Sequence, residues 1–205
     1  MTMKLTLTGF GLAAAFALLS GCSTQTERKV SYYQFDIVAE DKVVTTPASK
    51  PQLIIEHVDM YSGLNEPGMV QRLDSYRARA ATWHQWAILP SDMLESATAN
   101  LLSQQLPDWL VLIEKDGDIP QSESAEKASY AVRIFVERFN GGLNGDAEVV
   151  GSWSLYDADQ QLVIKNTFNK SVALEQDGYV GLTQALQSAW VDVNEDIARY
   201  LLNKQ

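Results

Sequence analysis

The one thiol of this 205-residue chain, Cys22, directly follows Leu19-Ser20-Gly21. Small residues at 20 and 21 fit a signal-peptidase pocket, and an apolar Leu19 completes the pattern. A thiol placed just after such a cut is the acceptor for a diacylglyceryl group. Upstream, Lys4 precedes an apolar run from Phe10 to Leu19, the charged start and apolar stretch of an export signal. That run is shorter than the ~20 residues that span a bilayer as a helix. The expectation is a bacterial lipoprotein: residues 1–21 a signal peptide, 22–31 a lipidated tether, and 32–205 a single domain. The acyl lipid on Cys22 is the one covalent addition expected, with no cofactor. One acyl chain holds a membrane only marginally, so multiple acylation is what gives a durable tether. Ser23 stands where an Asp would retain the protein at the inner membrane, which points to the outer membrane, facing the periplasm.

The other residue types that do chemistry are sparse or badly spaced. His57 and His84 are the only histidines, and neither is spaced with carboxylates or thiols as a metal ligand. There is no Gly-x-Ser-x-Gly elbow, P-loop or dinucleotide fingerprint. Asp116/Asp118 and Asp157/Asp159 sit among turn residues, and Gly141-Gly142 precedes a strand, so turn chemistry accounts for them. No nucleophile, base and oxyanion donor assemble, so neither an enzyme nor a metal site is expected. The formal charge of −10 argues against nucleic acid, which needs a basic stripe. It also argues against the protein body lying flat on anionic lipid. What remains is a set of aromatic and apolar residues near loop ends: Tyr61, Leu64, Met69, Val70, Trp83, Trp86 and Trp109. They either pack in the core or form a partner-binding surface, where Trp, Tyr and Met are favoured.

The elements that must position them follow from periodicity. Tyr33, Phe35 and Ile37 share one face of a strand over 32–38, and Leu53 to Val58 reads as a central strand. Met69–Leu73 and Ser75–Ala80 read as a hairpin joined at Asp74, followed by Trp83–Leu89. Pro90-Ser91-Asp92 opens a helix to Leu106, with Asp92 and Glu95 as a capping box and Pro107 as its stop. Trp109–Ile113 is a further strand, and residues 40–51 and 116–129 are loops, the second expected to be mobile. Tyr130–Phe139, Ala147–Tyr156 and Leu162–Leu174 alternate as a three-stranded antiparallel meander, with Phe135 and Phe139 placed on the Arg133/Glu137 face. A last helix covers 178–202, its apolar stripe including Leu182, Leu186, Trp190, Val193 and Ile197. The fold class is α/β: a mixed sheet with an antiparallel meander, packed by two long helices.

The chain resembles the ABC-type transport auxiliary lipoproteins. The residues that carry the likeness are Cys22 with its leader, Tyr32-Tyr33-Gln34-Phe35, Leu64 with Pro67-Gly68-Met69-Val70-Gln71-Arg72, and Trp86-Ala87 before the first helix. Asn100-Leu101-Leu102, Phe135 through Gly141, Trp153-Ser154-Leu155 and the last helix complete it. The resemblance implies a sandwich similar to the amino-terminal domain of TolB. It implies a role without catalysis, docking at the outer membrane onto a periplasmic MCE-domain protein and, through it, an inner-membrane transport partner. It also implies a homo-oligomeric ring. A periplasmic lipid-binding shuttle or chaperone is the alternative, and a hydrolase the third reading.

Overall fold

Thirteen residues, Ser129–Gly141, form the strand on which the sheet is assembled. The computed structural model describes residues 28–38, 50–114 and 129–204. In chain order the elements are β1 (Ser31–Tyr33), β2 (Gln52–Met60), β3 (Gly68–Arg72), β4 (Ala78–Trp86), α1 (Pro90–Gln105), β5 (Leu110–Ile113), β6 (Ser129–Gly141), β7 (Asp146–Tyr156), β8 (Leu162–Ala173) and α2 (Gly178–Leu202). One edge of β6 pairs with β7 in antiparallel fashion along ten residues, and β8 continues that meander. The other edge of β6 is shared. Its first half runs parallel to β2, and its end meets β3 where Gly141 faces Gln71. β5 lies outside β2, while β4 and then β1 lie outside β3. The result is the expected α/β fold with a mixed sheet.

Both helices cover one face of this sheet. α1 packs on β2 and β5, α2 packs on β7 and β8, and the two helices touch each other. The buried alternates Leu53 and Ile55, Val132, Ile134 and Val136, and Val149, Trp153 and Leu155 all meet them there. The opposite face carries Arg133, Ser152, Ser154, Lys165, Thr167 and Asn169. Alternation of apolar and polar residues along each strand is what leaves one face of an antiparallel sheet in water. Arg133 is fixed on that face by Glu56 of β2 and Gln160, with its guanidinium 4.3 Å above the Tyr156 ring.

Several local expectations change. The strand expected over 32–38 pairs only through Tyr33. Beyond it the chain stays extended, and helix side chains replace the ladder: Gln187 accepts from the Asp36 N–H, while Asn100 and Gln104 donate to the carbonyls of Ile37 and Val38. The alternation itself holds, since Phe35 is buried and Tyr33 and Ile37 are half-buried. Phe139 moves to the helix side because β6 bulges between Val136 and Arg138, which inverts the parity of every later residue. It is 2% exposed and packs on Phe35 and Trp86. The second arm of the hairpin is longer than expected, and it absorbs Trp83 to Trp86. The segments 39–49 and 115–128, which take in nearly all of both expected loops, lie outside the described residues.

The capping box is also corrected. α1 has Leu89 at its N-cap with no side-chain cap, and Pro90 follows at the first turn. The Ser91 N–H donates instead to Asn65 Oδ1 at 3.0 Å, so a loop from 26 residues upstream satisfies a helix-end amide. Asn65→Ala is therefore expected to destabilise the fold by about 1 kcal/mol, the usual worth of a cap. Chemical denaturation reads this, and an Asn65→Asp variant that keeps the acceptor should recover most of it.

Candidate functional site

β4 is where the sheet departs most from regular pairing. Gly68 faces Gln85 and Val70 faces Ala80, so two steps along β3 oppose five along β4. The surplus chain, Ala81 to His84, has no register partner on β3, and such bulges re-aim side chains. Gly68 is needed opposite it: a methyl there would stand 2.7 Å from the Ala81 carbonyl oxygen and 3.1 Å from Ala80 Cβ.

His84 is held by two rings. The Tyr33 hydroxyl lies 2.8 Å from His84 Nδ1, and the Tyr179 ring stacks on the imidazole with centroids 3.9 Å apart at 13°. In the tautomer where Tyr33 donates, Nε2 carries the ring's remaining proton and is its free donor. β1, β4 and the first turn of α2 each supply one member of this trio. Beside it opens a solvent-facing cleft of about 280 Å³ lined by Arg28, Arg79, Trp83, His84, Tyr179 and the chain from Ala80 to Thr82. A second cleft, of about 90 Å³, lies between the β6–β7 turn and the start of α2, against Gln71, Asp146 and Leu182.

The residues singled out from sequence divide cleanly. Met69, Trp86 and Trp109 are core, at 0%, 5% and 7% exposure, and Val70 is buried at 9%. For these the core alternative holds, and Met69, Val70 and Trp86 are withdrawn as partner contacts. Leu64 is half-buried in the loop before β3. Tyr61, at 56%, stands edge-on to Phe135 with centroids 5.1 Å apart, and Trp83, at 39%, lies on the β4 bulge. Tyr61 and Trp83 therefore remain as surface aromatics, but they do not share one cleft. The Tyr33–His84–Tyr179 trio and the two arginines escaped the sequence reading. A bulge leaves no mark on alternation, and Arg28 is 51 positions from Arg79 with nothing in the sequence to join them. Cys22 lies outside the described residues.

Charge on the rest of the surface is taken up in structural pairs. His57 Nδ1 lies 3.8 Å from Glu95 Oε2, with the imidazole largely exposed. Arg72 donates twice to Glu148, at 2.8 and 2.9 Å, and Asn140 donates to the same carboxylate, locking β3 to the meander. Glu56 raises the Arg133 guanidinium further above its ordinary range through their hydrogen bond. At Asp74 the Tyr76 N–H, then the Arg77 side chain, lowers the carboxyl below its usual range. Burial pulls the Asp196 carboxyl upward, but Lys170 at 2.7 Å and Arg199 outweigh it and hold it below 3.8. A depressed carboxylate stabilises the fold above its unfolded pKa and ceases to do so as pH falls through its folded value. Lys170→Met should thus cost up to ~1 kcal/mol at neutral pH, screened because both groups are part-exposed. The gap to the parent should close in acid titrations below pH 3.8. Among the described residues no group of three or more His, Cys, Asp or Glu could hold a metal ion. No described helix is long and apolar enough to cross a membrane.

Comparison with known proteins bears on this arrangement. The model of a family described as "ABC-type transport auxiliary lipoprotein component" matches residues 33–198. The chain is 28% identical over 181 residues to the intermembrane transport lipoprotein PqiC of Escherichia coli strain K12, covering 88% of this chain and 90% of that protein. The protein of the same description from Shigella flexneri matches equally. Among solved structures, an uncharacterized protein superposes with a TM-score of 0.67 at 24% identity, covering 84% of this chain and 99% of the other. Protein XCC0632 from Xanthomonas campestris gives 0.62 at 16% identity, covering 85% and 100%. At these identities the two structures speak for the fold alone. The TolB likeness stays an implication of the resemblance.

Proposed function

Since the chain belongs to the family of ABC-type transport auxiliary lipoprotein components, we propose that it is the envelope lipoprotein of an intermembrane transport system. In this reading Cys22 is acylated, residues 22–31 are the tether, and the domain is held at the outer membrane facing the periplasm. There it docks an MCE-domain protein and, through it, an inner-membrane transport partner, as a homo-oligomeric ring. The observation that carries the reading is the length of the family match, which runs from the end of β1 nearly to the end of α2. A match of that extent concerns the whole domain and not a shared motif. The 28% identity to a protein named for intermembrane transport supports the same direction. The surface agrees with a docking role: Tyr61, directly after β2, is an exposed aromatic of the type that anchors interfaces. A lipid shuttle would need an apolar cavity of ~300–1,000 Å³. The two clefts described above are open and partly polar, and give that alternative no support.

The test is a crosslinked pull-down from envelopes, with mass spectrometry of protein and lipid. Recovery of an MCE-domain protein together with an acylated Cys22 peptide is expected. Lipid recovered without such a protein would move the assignment to the shuttle, and an unmodified Cys22 would remove the anchor.

A further inference from the structure

Two cations gather in the cleft on the β4 bulge. Arg28 and Arg79 both line it, and among the described residues no carboxylate lines it and neither arginine has an ion-pair partner. That is unusual on a chain of formal charge −10, where most other surface arginines are paired within the fold. The cleft also has rings: Trp83 is 39% exposed at its rim, and Tyr179 and His84 form its wall, fixed by stacking. Tyr32 on the adjoining strand is 65% exposed. Cations set among tryptophan and tyrosine are the residue mixture of a lipid–water interface.

The position of the tether adds an independent argument. β1 runs parallel to β4 with Ser31 opposite His84, so the chain before Ser31 comes in along the bulge, and Arg28 already lines the cleft. Cys22 is six residues before Arg28, a reach of at most about 21 Å for extended chain. Whatever surface holds Cys22 is within one small-domain radius of this cleft.

We infer that the β4-bulge cleft seats a phosphodiester headgroup of the leaflet that carries the anchor, with Arg28 and Arg79 on the phosphate and Trp83 at the glycerol level. The domain is then set on the membrane in one orientation, with β4 turned to lipid. The net negative charge, which opposes the body lying flat on anionic lipid, is compatible with this because the contact is confined to one cation-rich end. The inference rests on the anchored reading for where the leaflet lies, and the test separates the two.

Acylation is left out of the measurement by using the chain from Ser23 onward. The described core begins at Tyr33, well inside the chain that is kept. Flotation is measured with vesicles of phosphatidylcholine and phosphatidylglycerol at about three parts to one, where each basic residue at an anionic surface contributes appreciably. Binding is expected, with little to pure phosphatidylcholine, and it should weaken as salt shortens the screening length. Arg28→Gln with Arg79→Gln should lower it by about thirty-fold, two surface cations' worth. Lys165→Gln with Lys204→Gln removes the same charge elsewhere and should change it by less than about three-fold. Circular dichroism confirms that each variant is folded. Equal losses from the two pairs would reduce the effect to net charge and overturn the proposal. So would inorganic phosphate binding at the arginines without vesicle flotation, which would make this a small-anion site. A missing acyl group on Cys22 in envelopes would defeat the anchor while leaving the vesicle result standing.

Discussion

Replacing Trp190 by alanine should cost about 4 kcal/mol of stability, within the range for emptying a buried tryptophan site. The ring is 0% exposed and sits where three elements meet. Its Nε1–H donates to Thr98 Oγ1 of α1 at 3.2 Å, and Phe168 of β8 abuts it edge-on with centroids 6.2 Å apart. The substitution therefore leaves a cavity and also strands a fully buried hydroxyl. Trp190→Phe keeps a ring and loses the donor, so it should cost closer to 1 kcal/mol. Urea midpoints with unchanged m-values would measure both. Domains of this size hold about 5–15 kcal/mol in total, so the alanine variant should be visibly less folded on warming. A loss under about 1.5 kcal/mol for alanine would mean that the helices repack freely, and that the three-element junction is not rigid.

The second large effect is expected at Gly151, in the middle of β7. A methyl group on Gly151 would collide with the Phe135 carbonyl oxygen and lie 2.7 Å from Phe168 Cζ. Gly151 and Phe168 face each other in the β7–β8 register, so the phenyl ring lies over the bare backbone and takes the place of the absent side chain. Phe168 can swing away, but only by leaving Trp190. The Phe135 carbonyl cannot move without breaking the β6–β7 ladder. Gly151→Ala is thus expected to cost about 2–3 kcal/mol, the upper end for overpacking. In a double-mutant cycle, Phe168→Ala should relieve part of this, with coupling of about 1 kcal/mol. Additive effects would show that the backbone clash alone sets the cost. Because Phe168 touches both sites, Gly151→Ala and Trp190→Ala should also fall short of additivity.

Much of this fold could be read directly from residue order. The meander was legible because Ala147 to Leu155 alternates without interruption, and both helices were legible from their apolar spacing and from Pro90, Pro107 and Gly178. What escaped has a common cause. Bulges change parity without changing composition, so Phe139 reads onto the wrong face and the part of β4 without a β3 partner leaves no mark in the sequence. The carboxylates near the start of α1 match a capping pattern, but the helix begins at Pro90, which puts Asp92 inside its first turn, and Asn65 from another loop bonds the Ser91 amide. Of the surface candidates, Met69 and Trp86 were named for their type and their closeness to loops, and both of those features belong equally to core residues at strand ends. The arginine cleft needed tertiary structure to appear, because it is assembled from the tether, β4 and α2.

The shared edge of β6 also dictates an order of events during folding. β2 and β3 both need it as a partner, yet it arrives late: Glu56 of β2 and Arg133 of β6 pair across 77 positions of chain. Pairings between such distant segments close slowly, since the loop entropy is spent before the contact is made. A chain emerging from its N-terminus presents β1 to β5 and α1 well before β6 exists to join them. Over that interval β2 has only β5 beside it, β3 has only β4, and the two pairs have no common strand. The two pairs thus gain a common strand only once residue 141 is out, and β7, β8 and α2 join that strand after it.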